Sequence, residues 1–519
     1  MITASAWKRR SRGSGNALTQ SGVYGTTGGR VRGRAPVDGV VAVLGIPYAE
    51  PPFGENRFRA PRPRTPWPGV RDCTEFGPVA PQSAELPGAP CWSPGDEDVL
   101  TLNIWAPADA SGPLPVLVWL HGGAYTFGSS AQPDFDGTAL ARTGLVVVTL
   151  NYRLGFEGFG HVPDDGSGAF PPNRGLLDQI AALEWVRDNI AAFGGAPDNV
   201  TAAGQSAGAA AAVCLMAMDA ARGLFHRVIA HSAVGPCFAP ELARRVTERV
   251  AAAAAVPATA AALAGADPQA LVRASDAVVE DYRRDPGSGP LHWDPVIYGP
   301  VADGHVLLDE PLNLIAAGAA RDIGLLVCHT TEEYWLMDAV GAAVDVPTDE
   351  RLHRFAADFG LPAPLVDGYR ALLPGAGPHD LHLALYGDLL FGEYSSRLAA
   401  VHEAAGGRVF LSRFDRKDGG VRAWHCADVP FAFGNEDERC VRFLIGGTEP
   451  GPGDRALARR MTAAWAGFAT SGDPGWRPGT DGDIKVWGTP DRAAASGHWR
   501  DGDALRALWA AYTYRPARP

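Results

Sequence analysis

The stretch Gly204-Gln205-Ser206-Ala207-Gly208 decides the fold of this chain. The strand-like run Asn199-Val200-Thr201-Ala202-Ala203 precedes it, and a run of alanines, which are strong helix formers, follows it. A serine at the centre of Gly-x-Ser-x-Gly, between a strand and a helix, is typical of a nucleophile elbow. Side chains at Gly204 and Gly208 would collide with neighbouring backbone in so strained a turn. For the motif alone, an ordinary strand-to-helix turn is the alternative.

Apolar runs on both sides of the elbow predict the strands of one sheet. Residues 114–120 and 145–150 are largely continuous apolar runs, as in strands buried on both faces of a parallel sheet. Residues 176–190 place apolar side chains at helical spacing. Further strands are predicted at 40–44, 100–105, 228–231, 323–327 and 409–414, and a late helix at 456–469. Because strands and helices alternate around the elbow, the chain is predicted to be α/β, with a large, mostly parallel central sheet flanked by helices.

The composition is that of a globular protein. The chain has 519 residues, of which 46% are hydrophobic and 20% are charged. A net charge of −12 argues against nucleic acid as a partner. No run of apolar residues is long enough to span a membrane. The seven cysteines include no Cys-x-x-Cys pair, so a zinc site is not expected. No other metal and no cofactor is expected either, and whether Cys73 and Cys91 form a disulfide is left open.

The domain organisation is predicted to be simple. Residues 1–20 are polar and basic without a following apolar segment, which indicates a disordered tail rather than a secretion signal, and hence a cytoplasmic protein. Residues 21–519 are predicted to form a single domain. Within it, residues from about 241 to 290 are alanine-rich and helical, interrupted by Pro257 and Pro268. This insertion either caps the functional site or adds helical packing.

A second motif supports a catalytic serine. A serine hydroxyl needs a base, an orienting carboxylate and donors for the oxyanion of its transition state. In α/β-hydrolases one donor is the amide of the residue after the serine, here Ala207, and another comes from a glycine-rich loop after an earlier strand. His121-Gly122-Gly123-Ala124 follows a predicted strand and fits that loop. Two motifs in this order make an ordinary turn at Ser206 a poor explanation.

With these motifs the chain resembles the type-B carboxylesterases, the family of bacterial para-nitrobenzyl esterases and animal cholinesterases. The resemblance covers nearly all of the sequence from about Gly22 onward. It rests on Gly45-Ile46-Pro47-Tyr48-Ala49 with Pro51-Pro52, on Glu97-Asp98-Val99-Leu100-Thr101-Leu102-Asn103-Ile104-Trp105, and on Asn151-Tyr152-Arg153-Leu154-Gly155. It implies an α/β-hydrolase fold with helical insertions that cap the active site.

The resemblance also implies the rest of the site. The family's acid follows a strand, here within Thr330-Thr331-Glu332-Glu333, and register favours Glu333 over Glu332, although Tyr334 replaces the usual glycine. The family's histidine matches His425, in His425-Cys426-Ala427-Asp428-Val429-Pro430-Phe431. The second and third residues after the loop histidine, Gly123 and Ala124, are expected to join Ala207 in the oxyanion hole.

Four further residues are expected near the site. Gln205 stands where the family usually carries glutamate, which favours uncharged esters over choline esters. Ser232 resembles a position that supports the triad by hydrogen bonding, with a buried structural hydroxyl as the alternative. Phe238 and Trp293 are candidate pocket walls or plain core. The cysteines of a disulfide that secreted members often carry are replaced by Ala80 and Val99, which again favours the cytoplasm.

The resemblance implies a serine carboxylic-ester hydrolase that acts on small to medium uncharged esters through an acyl-enzyme. Its expected partner is a small-molecule ester, and the protein is expected to be a monomer or homodimer. An acyltransferase, or a biosynthetic, amide or carbamate hydrolase with the same triad, is the alternative, because another nucleophile can resolve the same acyl-enzyme. A non-catalytic binding member of the fold is disfavoured, since Ser206, Glu333 and His425 are all present.

Overall fold

The computed structural model describes residues 22–83, 91–110, 112–417, 421–447, 449–480, 484–488 and 503–518. The predicted tail, residues 1–20, lies outside these described residues. Within them, no helix is both long and apolar enough to cross a membrane. Cys73 is buried whereas Cys91 is exposed, and no disulfide joins these two described residues.

The strands form two sheets. In chain order they are β1 (Val23–Thr26), β2 (Gly29–Arg32), β3 (Val40–Pro47), β4 (Val70–Asp72), β5 (Thr101–Pro107), β6 (Leu114–Leu120), β7 (Val146–Leu150), β8 (Gly195–Gln205), β9 (Arg227–His231), β10 (Gly324–Thr330), β11 (Val409–Phe414) and β12 (Lys485–Trp487). A small sheet has the order β1-β2-β4, and a nine-stranded sheet has the order β12-β11-β10-β9-β8-β6-β7-β5-β3. In the large sheet β5 runs antiparallel to β3 and β7, and the other pairings are parallel. The predicted α/β class with a mostly parallel sheet is therefore confirmed.

The helices cover both faces of the large sheet. They are α1 (Thr138–Ala141), α2 (Gly155–Phe159), α3 (Arg174–Asn189), α4 (Ala207–Ala217), α5 (Pro240–Ala253), α6 (Ala260–Gly265), α7 (Pro268–Arg284), α8 (Pro290–Trp293), α9 (Pro311–Ala316), α10 (Trp335–Ala339), α11 (Asp349–Asp358), α12 (Ala363–Leu372), α13 (Pro378–Gly387), α14 (Glu393–Ala404), α15 (Val429–Phe433), α16 (Pro452–Ser471) and α17 (Asp503–Trp509). One π-helical turn, Asp388–Gly392, connects α13 to α14.

Strand β6 shows why its sequence is apolar throughout. Side chains alternate between the two faces of a strand, and both faces of this sheet are covered. Val116 and Val118 pack into the core on one face, whereas Leu117 and Trp119 pack into the core on the other. All four are fully buried. Helix α16 closes the second face with a stripe of Leu457, Met461, Trp465 and Phe468.

The region predicted as a helical insertion contains helices α5, α6 and α7. Pro257 lies between α5 and α6, and Pro268 is the first residue of α7, where the missing amide hydrogen costs nothing. Helix α7 packs against α5, α2 and α8. These contacts attach the region to the body of the domain through α2; a capping role for it stays a prediction.

The parallel strands bring five loops to one edge of the sheet. Strands β6, β8, β9, β10 and β11 run in the same direction, so their carboxyl ends meet at that edge. Ligand sites of open α/β sheets form at this edge. A cavity of about 460 Å³ lies at the opposite edge from Ser206, and Gly195, at the amino end of β8, is part of its lining.

Candidate functional site

Ser206 occupies the sharp turn between β8 and α4. Its backbone has φ 57° and ψ −127°, a conformation that L-residues rarely adopt and that stores strain. A Cβ on Gly204 would lie 2.4 Å from Gly208 O, and a Cβ on Gly208 would lie 2.0 Å from Leu120 O. Both glycines are therefore required by close backbone contact, as the sequence predicts. Ser206 N donates a hydrogen bond of 2.9 Å to His231 O, which attaches the turn to the end of β9.

The glycine-rich loop after β6 lies directly against this turn. A Cβ on Gly122 would be 2.9 Å from Gln205 O and 3.1 Å from Ser206 Cβ. Gly123 and Ala124 both have positive φ, 114° and 49°. Among the hydrogen bonds of the described residues, none is donated by the backbone amide of Gly123, Ala124 or Ala207. Free amides beside the serine are what an oxyanion hole requires.

His121 stabilises the glycine-rich loop after β6. It is buried, its ring stacks on Tyr152 at 4.5 Å between ring centroids, and its Nδ1 lies 2.8 Å from Gly122 O. Burial lowers the pKa of His121 to about 4, so the ring is neutral at physiological pH and its Nδ1–H donates to that carbonyl. Tyr152 Oη donates to His121 O at 2.7 Å. His121 therefore holds the loop in place.

Glu333 and His425 form a buried hydrogen-bonded pair. His425 Nδ1 lies 2.6 Å from Glu333 Oε2, and the two residues are 4% and 2% exposed. Burial lowers the pKa of His425, but Cys426 and the Glu333 carboxylate raise it, so that it lies well above its ordinary value. Because Nδ1 is bonded to the carboxylate, Nε2 is the ring nitrogen left for other partners.

Further donors hold the Glu333 carboxylate. Its Oε1 accepts 2.7 Å hydrogen bonds from Ser232 Oγ and from Thr330 N. Glu332 points elsewhere, since its carboxylate accepts from Arg422 Nη1 at 2.8 Å and from Ala423 N at 3.1 Å. The structure thus brings Glu333, and not Glu332, to His425, with Ser232 behind it.

Gln205 also reaches the histidine. Its Nε2 lies 3.0 Å from His425 Nε2, and its Oε1 accepts from Cys426 Sγ at 3.4 Å. Among the described residues, no hydrogen bond joins Ser206 Oγ to the His425 ring. The side-chain amide of Gln205 contacts His425 Nε2 instead. The sequence indicated the neutral charge of Gln205 but not this contact.

The two candidate pocket walls contact other residues. Trp293 is buried among helices, donates from its indole nitrogen to Asp358 Oδ2 at 2.9 Å, and packs edge-on against Phe355. Phe238 is 9% exposed, and its amide donates to Pro300 O. None of the described ring contacts or side-chain hydrogen bonds of Phe238 and Trp293 reaches Ser206, Glu333 or His425.

Phe391 contacts the histidine and was not expected from the sequence. Its ring centroid lies 4.3 Å from that of His425, and it belongs to the π-helical turn. A π-helical turn inserts an extra residue and is frequent at functional sites. The only sequence signal is an apolar segment between two helices, which is too common to identify such a turn.

A second histidine–carboxylate pair lies beneath the loop that carries His425. His231 Nδ1 is 2.6 Å from Asp428 Oδ2, and His231 Nε2 accepts from Trp465 Nε1 at 3.1 Å. With Cys328, these two residues form the only cluster of possible metal ligands among the described residues. Because both ring nitrogens of His231 are already hydrogen-bonded, the cluster is better suited to holding the loop than to binding a metal.

Known proteins similar to this chain share its sequence and fold. Residues 20–359 match the model of the carboxylesterase family. The para-nitrobenzyl esterase of Bacillus subtilis is 36% identical over 86% of this chain and 89% of that protein. The phenmedipham hydrolase of Pseudarthrobacter oxydans is 34% identical over 87% of this chain and 90% of that protein. The crystal structure of a Geobacillus stearothermophilus carboxylesterase superimposes with a TM-score of 0.79 at 34% identity, covering 94% of this chain and 99% of that one.

Proposed function

Because this chain belongs to the carboxylesterase family and is a serine carboxylic-ester hydrolase, we propose that Ser206, His425 and Glu333 are its catalytic triad. The observation that carries the proposal is the 2.6 Å contact between His425 Nδ1 and Glu333 Oε2. The loop that bears His425 adjoins the strained turn that bears Ser206, since the Gln205 side chain reaches the His425 ring.

In the proposed reaction, Ser206 Oγ attacks the carbonyl carbon of the ester while His425 Nε2 takes the hydroxyl proton. The negative charge that develops on the carbonyl oxygen is bound by the amides of Gly123, Ala124 and Ala207. His425 then gives the proton to the departing alcohol, which leaves an acyl-enzyme. Water repeats the sequence and releases the acid. Glu333 keeps the ring in the tautomer with Nδ1–H and stabilises the imidazolium.

The substrates that we propose are small to medium uncharged esters. Gln205 is 4% exposed and adjoins both Ser206 and the His425 ring, so its neutral amide takes the place of a carboxylate beside the reacting atoms. A buried carboxylate there would attract a cationic alcohol group, whereas an amide does not. A relative named for the hydrolysis of para-nitrobenzyl esters supports the same substrate class.

The decisive experiment compares Ser206→Ala with the wild type on para-nitrophenyl acetate and with a fluorophosphonate probe. We expect the variant to lose both turnover and labelling. Retained hydrolysis or labelling in Ser206→Ala would contradict the proposed nucleophile. A series of para-nitrophenyl esters of increasing acyl length, extended to para-nitrobenzyl and cationic esters, then defines the substrate class, and a preference for the cationic esters would contradict it.

The same acyl-enzyme also allows a second activity. One relative is named for the hydrolysis of phenmedipham rather than of a simple ester, which keeps amide or carbamate hydrolysis and acyl transfer as alternatives. Product analysis in the presence of a competing alcohol or amine distinguishes hydrolysis from transfer.

The proposed pocket wall Phe238 has its own test. Measuring the acyl-length preference of Phe238→Ala shows whether Phe238 lines the pocket, and an unchanged profile would exclude Phe238 from the pocket. A cytoplasmic location and a monomeric or homodimeric state stay predictions.

A further inference from the structure

Gln205 lies next to the Ser206 turn, the glycine-rich loop after β6 and the His425 ring. Its backbone precedes the Ser206 turn, its Oε1 lies 3.1 Å from where a Cβ on Gly122 would be, and its Nε2 lies 3.0 Å from His425 Nε2. A side chain on Gly122 would crowd the amide. The residue is almost fully buried, so its polar atoms need partners inside the protein.

Two contacts decide which way round the amide lies. The carbonyl oxygen of Gln205 faces the Cys426 thiol, which donates to it at 3.4 Å. The NH₂ group then faces the ring. His425 Nδ1–H donates to the Glu333 carboxylate, so the neutral ring has its lone pair on Nε2. The amide therefore donates to the lone pair that the reaction needs.

We propose that Gln205 is a positioning residue for His425: its amide holds the Nε2 lone pair in the free enzyme and yields it to the Ser206 hydroxyl when an ester binds. This inference rests on the proposed triad. One lone pair accepts one strong hydrogen bond, so the amide and the hydroxyl compete for it. In the described part of the structure the contact to His425 Nε2 comes from the Gln205 amide and not from Ser206 Oγ, as expected for the free enzyme.

The proposal predicts how the charge at position 205 sets the basicity of the histidine. An amide that donates to Nε2 stabilises the neutral ring, whereas a carboxylate in its place would accept from Nε2–H and stabilise the imidazolium. Among the described residues, the titratable groups that act on the ring are Glu333 on the turn after β10 and Cys426 on its own loop. The carboxylate of Asp428, on the same loop, is bound to His231. Phe391, on the π-helical turn, adds no charge.

The test measures kcat/KM against pH for wild type, Gln205→Glu and Gln205→Met. We expect the acid limb of Gln205→Glu to move to higher pH by about one unit or more, since an adjacent opposite charge has an effect of that size. Gln205→Met, which brings neither donor nor charge, should move the limb less. The matched control is Gln269→Glu, a helix-α7 residue whose amide donates to Trp92 O, and its limb should not move.

The proposal is overturned if the acid limb of Gln205→Glu coincides with that of the wild type. It is also overturned if Gln205→Met shifts the acid limb to higher pH by as much as Gln205→Glu does. A loss of kcat in both variants without movement of the limb would assign Gln205 a structural role only. If Gln205→Met does not fold, the near-isosteric Gln205→Glu still decides. Fluorophosphonate labelling of Ser206 in each variant separates the proposed triad from the proposed role of Gln205. A wild-type protein that resists labelling would contradict the triad, whereas it would not bear on the contact between Gln205 and His425.

Discussion

Ser232 Oγ donates a 2.7 Å hydrogen bond to the same Glu333 carboxylate whose other oxygen faces His425 Nδ1. The two residues follow neighbouring parallel strands, β9 and β10, so the sheet itself sets their separation. With the amide of Thr330, Ser232 saturates one oxygen of Glu333 and leaves the other for the imidazole. Because the sheet positions Glu333, it also sets the orientation of His425, the proposed base.

Replacing Glu333 by glutamine should lower kcat by about 10⁴-fold, because an amide no longer selects the tautomer that leaves Nε2 basic. The chain offers a matched control one residue away. Glu332→Gln removes a carboxylate that pairs with Arg422 and Lys417 and should leave kcat close to that of the wild type. Steady-state kinetics on para-nitrophenyl acetate measure both, and equal losses would contradict the assignment.

Activity should decline on the acid side at a higher pH than an ordinary imidazole would give. The pKa of His425 is raised above its usual value near 6.5, and the ring must be neutral to take the Ser206 proton. As the pH falls through this raised pKa, the base becomes protonated and kcat/KM declines. A pH profile of kcat/KM measures the limb, and a limb well below pH 6.5 would contradict the direction of the shift.

Ser232→Ala should reduce both stability and kcat. A hydrogen bond to a buried charged group contributes about 1.5–3 kcal/mol, and the hydroxyl that donates to Glu333 is fully buried. The control is Ser412→Ala, a buried serine on β11 that donates to the neutral carbonyl of Val327. It should lose about 1 kcal/mol and keep kcat. Denaturant unfolding together with kinetics separates the two effects.

Gly123→Ala should damage the proposed oxyanion hole. A Cβ there would lie 1.9 Å from Phe127 O, and φ is 114°, so the loop must move and its amides move with it. The loss of one donor costs about 3 kcal/mol of transition-state stabilisation, which appears in kcat. Gly112→Ala, where a Cβ meets nothing within 4 Å, is the control and should behave as the wild type. An unchanged kcat in Gly123→Ala would remove this loop from the reaction.

Much of the fold is readable from the sequence because its strands are buried on both faces. Predicted strands such as 114–120 and 409–414 recur as β6 and β11 with the same bounds. The short strands β1, β2 and β12 were not singled out, since segments of three or four residues are too short to show a distinct pattern. The π-helical turn was missed because its apolar residues also fit an ordinary helix.

The sequence by itself determined the order of the loops, the glycines that the turn and the oxyanion loop require, and the residue types at 206, 333 and 425. These are local properties, because backbone strain and side-chain chemistry act within a few residues. Only the tertiary structure decided that Glu333 rather than Glu332 faces His425, that Phe391 packs on its ring, and that Gln205 holds its Nε2. Those contacts join residues dozens to hundreds of positions apart, and the direction of each side chain depends on how the strands and helices pack.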